Sequence, residues 1–201
     1  MRYCPNCTKE LIAENHGGRD RLACPDKDCG FVDFGNFSMG CGGIVMRDGK
    51  ALLVQRGWEP ARGAWQLPGG YVEHDESLMT AVEREVMEET GITARARDVV
   101  AFRHSVGQPL GGRSTNIYVV FRLDYIEGEP HGDGDETMDA GFFSRAEIEG
   151  MDALQAMSRW AIYRAWETPE EGGFDLERDL TILPDRPGWQ AFAARRAERL
   201  D

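Results

Sequence analysis

The sequence predicts a mixed α/β domain, in which helices pack on a β-sheet, preceded by a short cysteine-rich unit. Over residues 36–168, strand-like runs alternate with two stripes of apolar residues at helical spacing, an order typical of a sheet covered by helices. Residues 1–35 hold four of the five cysteines and are too short to bury a core, so we treat them as a separate unit. Residues 169–201 form a C-terminal extension to which the sequence assigns no function.

Length and charge narrow the classes of function. A chain of 201 residues accommodates one ordinary domain and a small appendage. The formal net charge of −12 disfavours nucleic acids and anionic membranes as partners, whereas a small anion neutralised by metal ions stays a plausible substrate. The start of the chain, residues 1–5, has no apolar signal region, and no segment approaches the length of a membrane span. We therefore expect a cytoplasmic protein without a membrane partner.

The N-terminal cysteines lie in two closely spaced pairs, Cys4 with Cys7 and Cys24 with Cys29. Each pair can form a knuckle that supplies half of a tetrahedral Zn²⁺ site, and residues 15–19 between the pairs can form the turn of a hairpin. Because the segment cannot bury a core, zinc would supply its free energy of folding. The alternatives are two disulfides or plain buried thiols, and the absence of a secretory signal argues against disulfides. His16 is a further candidate ligand, although four thiolates already complete a zinc site.

The fifth cysteine, Cys41, lies in an apolar, glycine-rich strand pattern. We expect it to be a small core residue, with a nucleophilic role as the alternative.

The first half of the main domain predicts a hairpin, a loop and a helix. Residues 43–46 and 51–54 are apolar runs on either side of Asp48-Gly49, a strong hairpin signal, and a loop follows over residues 57–70. A helical stripe consists of Leu78, Ala81, Val82 and Val86. Asp75 or Ser77 can cap this helix at its start, and Gly91 ends it.

The second half predicts further strands and a second helix. Residues 99–106 and 116–123 are rich in β-branched and aromatic residues and predict two strands, joined by a loop over residues 107–112. An acidic loop over residues 127–139 leads to a short strand at residues 141–143. A helical stripe follows at Leu154, Met157, Ala161 and Ala165. In the extension, residues 178–183 predict an edge strand and residues 189–200 are weakly amphipathic.

The first helix carries a cluster of carboxylates. Glu85, Glu88 and Glu89 stand at positions i, i+3 and i+4, so they project from one face of the helix. Like charges at this spacing destabilise a helix by roughly 0.2 to 0.5 kcal/mol per pair, which indicates that a cation binds there. Hard carboxylate ligands favour Mg²⁺ or Mn²⁺, ions that proteins commonly share with substrate phosphates. A solvated acidic face is the alternative interpretation.

The whole stretch around these carboxylates resembles the signature of the Nudix hydrolases. The matching pattern is Gly70-x5-Glu76-x7-Arg84-Glu85-Val86-x-Glu88-Glu89-x-Gly91-Ile92, preceded by Trp65-Gln66-Leu67-Pro68-Gly69-Gly70. The resemblance implies an α/β/α sandwich over residues 36–168. It also implies a pyrophosphohydrolase that uses Mg²⁺ or Mn²⁺ to cleave the diphosphate bond of a nucleoside diphosphate linked to another group. A small phosphorylated nucleotide is then the substrate.

The resemblance also implies roles for individual residues. Glu85, Glu88 and Glu89 correspond to metal ligands, one of which can act as the base, and the carbonyl of Gly69 or Gly70 would complete the coordination. Arg84 and Glu76 correspond to an ion pair that positions the catalytic helix. A further acid from a later loop joins the site in many relatives; the candidates are Glu136 first, then Asp135 and Asp139.

Other candidate substrate contacts are weaker. Four arginines are candidate phosphate contacts, with ordinary surface charge as the alternative: Arg56, Arg62, Arg103 and Arg113. Trp58 and Tyr118 can stack on a base or pack in the core, and we expect them in the core.

The layout of a zinc ribbon ahead of this domain is similar to that of bacterial NADH pyrophosphatases. Only Gln108-Pro109 remains of the motif that those enzymes carry after the signature, so NADH is a less favoured substrate. Pro109 lies near the position at which ADP-ribose-cleaving relatives often carry a proline, with a turn as its alternative role. ADP-ribose or a similar compound is therefore the favoured substrate.

Three alternatives stay open from the sequence. The protein could be a non-catalytic nucleotide sensor whose ribbon recruits a partner, although the intact carboxylates count against this. The basic residues near the knuckles, Arg2, Lys9, Arg19 and Arg21, leave open the 5′ ends of RNA as substrates despite the overall acidity. The resemblance also suggests a homodimer.

Overall fold

The fold is a mixed β-sheet between two helical layers, with a two-stranded ribbon at the N-terminus. The computed structural model describes residues 1–35, 37–106, 115–169, 172–176 and 192–194. The ribbon holds β1 (Ile12–His16) and β2 (Arg19–Ala23). The strands of the main sheet are β3 (Phe37–Arg47), β4 (Lys50–Arg56), β5 (Trp65–Gln66), β6 (Thr93–Ser105), β7 (Thr115–Glu127), β8 (Thr137–Phe143), β9 (Phe174–Leu176) and β10 (Phe192–Ala194). The helices are α1 (Leu78–Thr90), α2 (Arg145–Glu149) and α3 (Ala156–Glu167).

The order of strands in the main sheet is β10-β9-β6-β7-β3-β4-β5, and β8 pairs with β4. Among the strands described, β3 and β7 are parallel and the other pairs are antiparallel. The β3–β4 hairpin turns at Asp48-Gly49, where both residues have positive φ angles of 53° and 74°, as the sequence predicts.

The β3–β4 hairpin separates soon after its turn. Pairing between the two strands is confined to Met46 with Ala51 and Arg47 with Lys50, after which β4 pairs with β8 and β5. The free edge of β3 is then occupied by the loop over residues 68–72. The N–H of Cys41 donates to the Gly70 carbonyl at 2.9 Å, and the N–H of Gly43 donates to the Pro68 carbonyl at 2.9 Å. The loop therefore takes the place of a strand beside β3.

Each face of the sheet packs against its own helical layer. On one face, α1 buries Ala81, Val82 and Val86 against strand residues that include Val45 and Phe121. On the other face, α2 and α3 cover residues that include Ile44 and Val120. Because neighbouring strand residues point to opposite faces, this arrangement gives the predicted α/β/α sandwich. None of the helices described is long and apolar enough to cross a membrane.

The caps of α1 agree with the sequence. The Ser77 hydroxyl accepts a hydrogen bond from the Thr80 N–H at 3.2 Å, which decides between Ser77 and Asp75. Gly91 ends the helix with a left-handed φ of 69°, and its N–H donates to the Met87 carbonyl.

Several predicted boundaries were wrong. β6 begins at Thr93, because its first residues alternate between buried and exposed sides rather than forming an apolar run. The acidic loop ends at Glu136, because Thr137 already pairs in β8 with Arg56. Leu154 precedes α3 and instead bridges to Trp65. The sequence did not predict the short elements α2 and β5, because they contain too few residues to show a hydrophobic period.

In the C-terminal extension, residues 192–194 form a strand that pairs with β9, and the sequence predicted neither strand. The predicted loop at residues 107–112 and the predicted edge strand at residues 178–183 lie outside the described residues.

A buried ion pair fixes the chain after α3 to the sheet. The guanidinium of Arg122 in β7 binds both carboxylate oxygens of Asp98 in β6, and the two side chains are 6% and 0% exposed. The same guanidinium donates to the carbonyls of Thr168 and Pro169, at 3.2 Å each. A side chain at Gly173 would strike the Asp98 carboxylate, so this glycine permits β9 to approach. The segment after α3 is therefore held to the sheet by polar contacts with Arg122.

We predict that Arg122→Met lowers the free energy of unfolding by about 3–5 kcal/mol, because it removes the guanidinium that binds both oxygens of the buried Asp98 carboxylate. Urea denaturation measures this loss. The control is Arg97→Met, whose partner Asp124 is half exposed, and it should cost less than about 1 kcal/mol. Equal losses in the two variants would contradict the role of the buried pair.

Candidate active site

Two carboxylates of α1 are buried at the boundary between the helix and the loop over residues 68–72. Glu85 and Glu89 are 9% and 6% exposed, whereas the side chain of Glu88 is 58% exposed. The Gly69 N–H donates to the Glu89 carboxylate at 2.8 Å. The predicted acidic face therefore divides into two inward-facing carboxylates and one at the rim.

Two glycines let the loop approach these carboxylates. Gly69 has a φ of 148°, and a Cβ there would lie 2.2 Å from the Cys41 carbonyl oxygen. At Gly70, a Cβ would lie 2.6–2.7 Å from the carboxylate of Glu85. Since any side chain would collide, the Gly-Gly pair is required by the packing of loop, strand and helix.

The two loop carbonyls differ in their availability. The Gly70 carbonyl already accepts the N–H of Cys41. Within the described part of the chain, no backbone donor reaches the carbonyl of Gly69. Of the two, Gly69 is thus the better candidate for a metal ligand.

Arg84 brings positive charge to one side of the carboxylate cluster of Glu85, Glu88 and Glu89, which we call its outer side. Its Nε and Nη2 donate to the two oxygens of Glu76 at 3.1 and 2.6 Å, a bidentate pair. Its Nη1 donates to Glu85 and to Glu88, at 2.9 Å each, and Nη2 also reaches the Tyr71 carbonyl at 3.3 Å. The pair of Arg84 with Glu76 inferred from the resemblance is present, and it ties the loop to the helix.

The charges on the inner side of the cluster, where Glu85 and Glu89 are buried, favour the binding of a cation. Burial, together with the negative charges of Glu85 and Glu136, raises the pKa of Glu89 to about 8 despite the hydrogen bond from Gly69. Burial also raises the pKa of Glu85, against the influence of Arg84 and reinforced by Glu88 and Glu136. Glu85 has Arg84 as its charge partner, whereas Glu89 has no ion pair with any of the residues that the structure describes. Two buried carboxylates with so little positive charge form a donor set that fits a divalent cation of oxygen preference.

Glu136 belongs to the same electrostatic cluster. It is exposed in the loop before β8, and its charge acts on both Glu85 and Glu89. Asp139 instead lies on β8 opposite Gln55, and its carboxylate accepts the N–H of Ala140. Asp135 is exposed in the loop. The ranking with Glu136 first stays a prediction.

The N-terminal cysteines form a compact cluster. Of the residues described, only Cys4, Cys7, Cys24 and Cys29 bring three or more ligand atoms of this kind within 4.8 Å of one another, and His16 is not part of the group. The sulfurs of Cys4 and Cys29 are 3.6 Å apart, and those of Cys7 and Cys24 are 3.4 Å apart. Tetrahedral Zn²⁺ with Zn–S bonds of about 2.3 Å places its sulfurs roughly 3.8 Å apart. The donor set and its spacing therefore fit zinc.

The thiols of Cys4 and Cys24 differ in pKa. Local desolvation opposes ionisation of Cys4, but backbone hydrogen bonds from Asn6 and Cys7 outweigh it and lower the pKa of this thiol to about 7. Desolvation raises the pKa of Cys24 to about 12. A bound metal ion would remove this difference by stabilising every thiolate.

The remaining candidates are placed as follows. Cys41 is fully buried in the core as expected, and burial raises the pKa of its thiol to about 12. Tyr118 is partly buried and lies beside Gly42 and Gly69. Trp58 was expected in the core but is 50% exposed. It lies in a surface loop whose carbonyls at Trp58 and Pro60 accept hydrogen bonds from Arg56.

The candidate phosphate contacts are dispersed. Arg56 is engaged with its own loop, Arg62 is exposed, and Nη2 of Arg103 donates to Asn116 at 2.7 Å. Arg113 lies outside the described residues. In the ribbon, Arg2 pairs with Glu10 at 3.1 Å and Lys9 pairs with Asp26 at 2.7 Å. This pairing weakens the ribbon as a basic surface for RNA.

Sequence reasoning missed Thr137. Its hydroxyl donates to the carbonyl of Glu89 at 3.0 Å, and the residue is 1% exposed. No local pattern predicts this contact, since it joins the last turn of α1 to a distant loop.

Comparison with known proteins identifies the family. A family model described as the NUDIX domain matches residues 39–166, which is well over half of the chain. The chain belongs to the Nudix family. The crystal structure of a NUDIX hydrolase from Nitrosomonas europaea has a TM-score of 0.67 and 27% sequence identity, and the alignment covers 83% of this chain and 91% of that chain. The matched residues therefore include α1, α2, most of β3 and α3, the strands from β4 to β8 and the loop over residues 68–72, whereas β9 and β10 lie beyond the match.

Two curated relatives carry named activities. The ADP-ribose pyrophosphatase of Methanocaldococcus jannaschii is 39% identical over 101 residues, which cover 50% of this chain and 58% of that protein. The NAD-capped RNA hydrolase NudC of Stutzerimonas stutzeri is 29% identical over 161 residues, which cover 80% of this chain and 54% of that protein. The chain thus spans a little over half the length of these relatives.

We predict that Arg84→Met destabilises the Nudix domain by about 1.5–3 kcal/mol, because it removes charged hydrogen bonds from Glu76 and Glu85. Arg84→Lys should recover less than half of this loss, since an ammonium cannot bind Glu76 in a bidentate manner. Urea unfolding without added metal measures both. The control is Arg164→Met, which removes an exposed ion pair with Glu167 and should cost about 0.5 kcal/mol or less. An Arg84→Lys variant as stable as the parent would contradict the bidentate role.

Proposed function

We propose that this Nudix protein is a metal-dependent pyrophosphohydrolase that cleaves the diphosphate bond of a nucleoside diphosphate linked to a small group, with ADP-ribose as the first candidate. The observation that carries the proposal is the pair of buried carboxylates, Glu85 and Glu89, held against the Gly69-Gly70 loop. A protein that only bound nucleotides would not need a cluster of metal-binding carboxylates. The non-catalytic sensor is therefore the less favoured function.

Glu85, Glu89 and the Gly69 carbonyl would hold Mg²⁺ or Mn²⁺, with Glu88 joining from the rim. When bound, such ions neutralise the diphosphate, lower the pKa of a coordinated water and stabilise the leaving phosphate. The protein then supplies position and charge. Arg84 holds Glu76 and Glu85 in place, and the glycine loop keeps the site narrow.

We assign the proton-accepting role to Glu136 first. It is the exposed carboxylate of the cluster, so it can reach a water that approaches from solvent. The water oxygen attacks phosphorus, the bond between phosphorus and the bridging oxygen breaks, and the water proton passes to the carboxylate. Glu88 is the alternative base, because it is the exposed member of the helix triplet.

ADP-ribose is favoured because the relative of highest identity among those described is an ADP-ribose pyrophosphatase. Capped RNA is the second candidate, because the similarity to the NAD-capped RNA hydrolase spans 80% of this chain. Arg2 and Lys9, two of the four basic residues near the knuckles, are paired with carboxylates, which counts against a polyanionic RNA partner. A homodimer stays a prediction.

We further propose that the N-terminal cysteines bind structural Zn²⁺. Their core consists of little more than Leu11 and the cysteines, with Phe31 packed against it. So small a core cannot stabilise residues 1–35 without a metal.

Glu89→Gln and Glu85→Gln should each reduce metal-dependent hydrolysis of ADP-ribose by at least about 100-fold, because each removes a ligand charge from the cation site. The measurement is chromatographic detection of the two cleavage products, with Mg²⁺ or Mn²⁺ present, from ADP-ribose, NADH, nucleoside triphosphates, nucleotide sugars, dinucleoside polyphosphates and NAD-capped RNA. Glu149→Gln, which changes an exposed carboxylate of α2, is the control and should retain full activity. No cleavage of any compound would favour the nucleotide sensor over the hydrolase.

Removal of zinc should unfold residues 1–35 without abolishing hydrolysis by the Nudix domain, because the two units have separate cores. Cys7→Ser and a zinc chelator test this by metal content, NMR of the ribbon and hydrolysis rate. The control is Cys41→Ala, which should leave the zinc content unchanged. Hydrolysis that disappears together with zinc, while the Nudix domain stays folded, would contradict the prediction.

A further inference from the structure

The loop before β8 caps the C-terminal end of the catalytic helix. The last carbonyls of any α-helix have no partner within the helix. Here the Glu89 carbonyl accepts the Thr137 hydroxyl at 3.0 Å, and the Thr90 carbonyl accepts the N–H of His131 at 3.0 Å. The contact with Thr137 is buried. The loop is therefore joined directly to the residue whose side chain lies in the candidate site.

Asp133 makes the same loop rigid from within. Its carboxylate accepts the N–H groups of Asp135 and Thr137 at 2.8 and 2.9 Å. The Asp133 N–H donates to the Thr137 hydroxyl at 3.0 Å, and the N–H of Gly134 donates to the Thr137 carbonyl at 3.0 Å. Residues 133–137 thus form a closed turn around Glu136, and the Thr137 hydroxyl is its link to the helix.

A third contact fixes the peptide of Glu136 from the other side. The N–H of Gly57 donates to the Glu136 carbonyl at 2.7 Å. A Cβ at Gly57 would lie 2.7 Å from the Asp135 carbonyl oxygen and 2.9 Å from that of Glu136. The backbone of Glu136 is therefore held between the strand β4 and the helix α1.

We propose that Thr137 and Asp133 are positioning residues that fix the loop bearing Glu136 relative to the helix bearing Glu85 and Glu89, by anchoring this loop to the Glu89 carbonyl. This inference rests on the proposed function, in which Glu136 serves the same site. Because the anchor is on the helix that carries the carboxylates, loop and helix move together. Small errors in such a distance reduce rates steeply, by about 100-fold for roughly 1 Å.

The test is a double-mutant cycle in the full chain between Thr137→Val and Glu136→Gln. Thr137→Val keeps the shape of the side chain and removes the hydroxyl, whereas Thr137→Ser keeps the hydroxyl. We expect Thr137→Val to lower kcat by about 10- to 100-fold with KM changed less than about twofold, and Thr137→Ser to stay within about threefold of the parent. In the Glu136→Gln background, Thr137→Val should have little further effect, because the carboxylate it positions is gone.

The control for the loss of a buried hydroxyl is Thr90→Val. The hydroxyl of Thr90 is also buried at the end of α1, but it contacts Val86 and Ile92 rather than the loop. Thr90→Val should lower the free energy of unfolding about as much as Thr137→Val does. Its effect on kcat should simply add to the effect of Glu136→Gln. If Thr137→Val and Thr90→Val reduce kcat equally, Thr137 has a structural role only and the inference is wrong.

A second readout does not depend on turnover. Mn²⁺ affinity, measured by isothermal titration of the same four proteins, should fall by about 10-fold in Thr137→Val and not further in the double variant. The positioning role would be overturned if Thr137→Val and Glu136→Gln had additive effects on both kcat and Mn²⁺ affinity. It would also be overturned if Glu136→Gln changed neither quantity. Absence of turnover in the parent protein would overturn the proposed function instead, and the Mn²⁺ cycle would still decide the role of Thr137.

Discussion

The candidate site depends on how β3 is paired. Beyond the first two residue pairs of the hairpin, the loop over residues 68–72 lies beside β3 in place of β4. The hydrogen bonds from Cys41 and Gly43 to the loop carbonyls satisfy a strand edge that would otherwise be buried and unpaired. The Gly69 N–H of the same loop donates to Glu89 of α1. The same separation of the hairpin leaves β4 free to pair with β8, which follows the loop that carries Glu136.

Burial of the Glu85 and Glu89 carboxylates destabilises the fold, and the contacts around them offset part of this cost. Arg84 compensates Glu85 from the outer side, but the inner side of Glu89 receives one backbone N–H and faces further negative charge. Such a site is stabilised when a cation binds and destabilised when none is present. The contacts that resist this repulsion are the Arg84–Glu76 pair, the Gly91 cap and the loop anchored at Thr137.

Features that depend on local chemistry were predictable from the sequence. The turn at Asp48-Gly49, the caps Ser77 and Gly91, and the hairpin of the ribbon follow from residue types at fixed spacing. The helix triplet was also evident, but its division into buried and exposed carboxylates was not, because burial depends on the loop packed against it. The pairing of this loop with β3 uses carbonyls rather than side chains, so it leaves no alternation to detect. The anchor at Thr137 and the exposure of Trp58 likewise depend on tertiary contacts.

The central claim is that Glu85, Glu89 and the Gly69 carbonyl form a divalent-cation site for a diphosphate. Anomalous X-ray diffraction from crystals of the full chain grown with Mn²⁺ and a non-hydrolysable ADP-ribose analogue tests it most directly. The account predicts an anomalous peak in contact with both carboxylates and the loop carbonyl, with the diphosphate of the analogue bound to the same ion. Analogue density without a peak between α1 and the loop, or a peak only at other acidic residues, would contradict it.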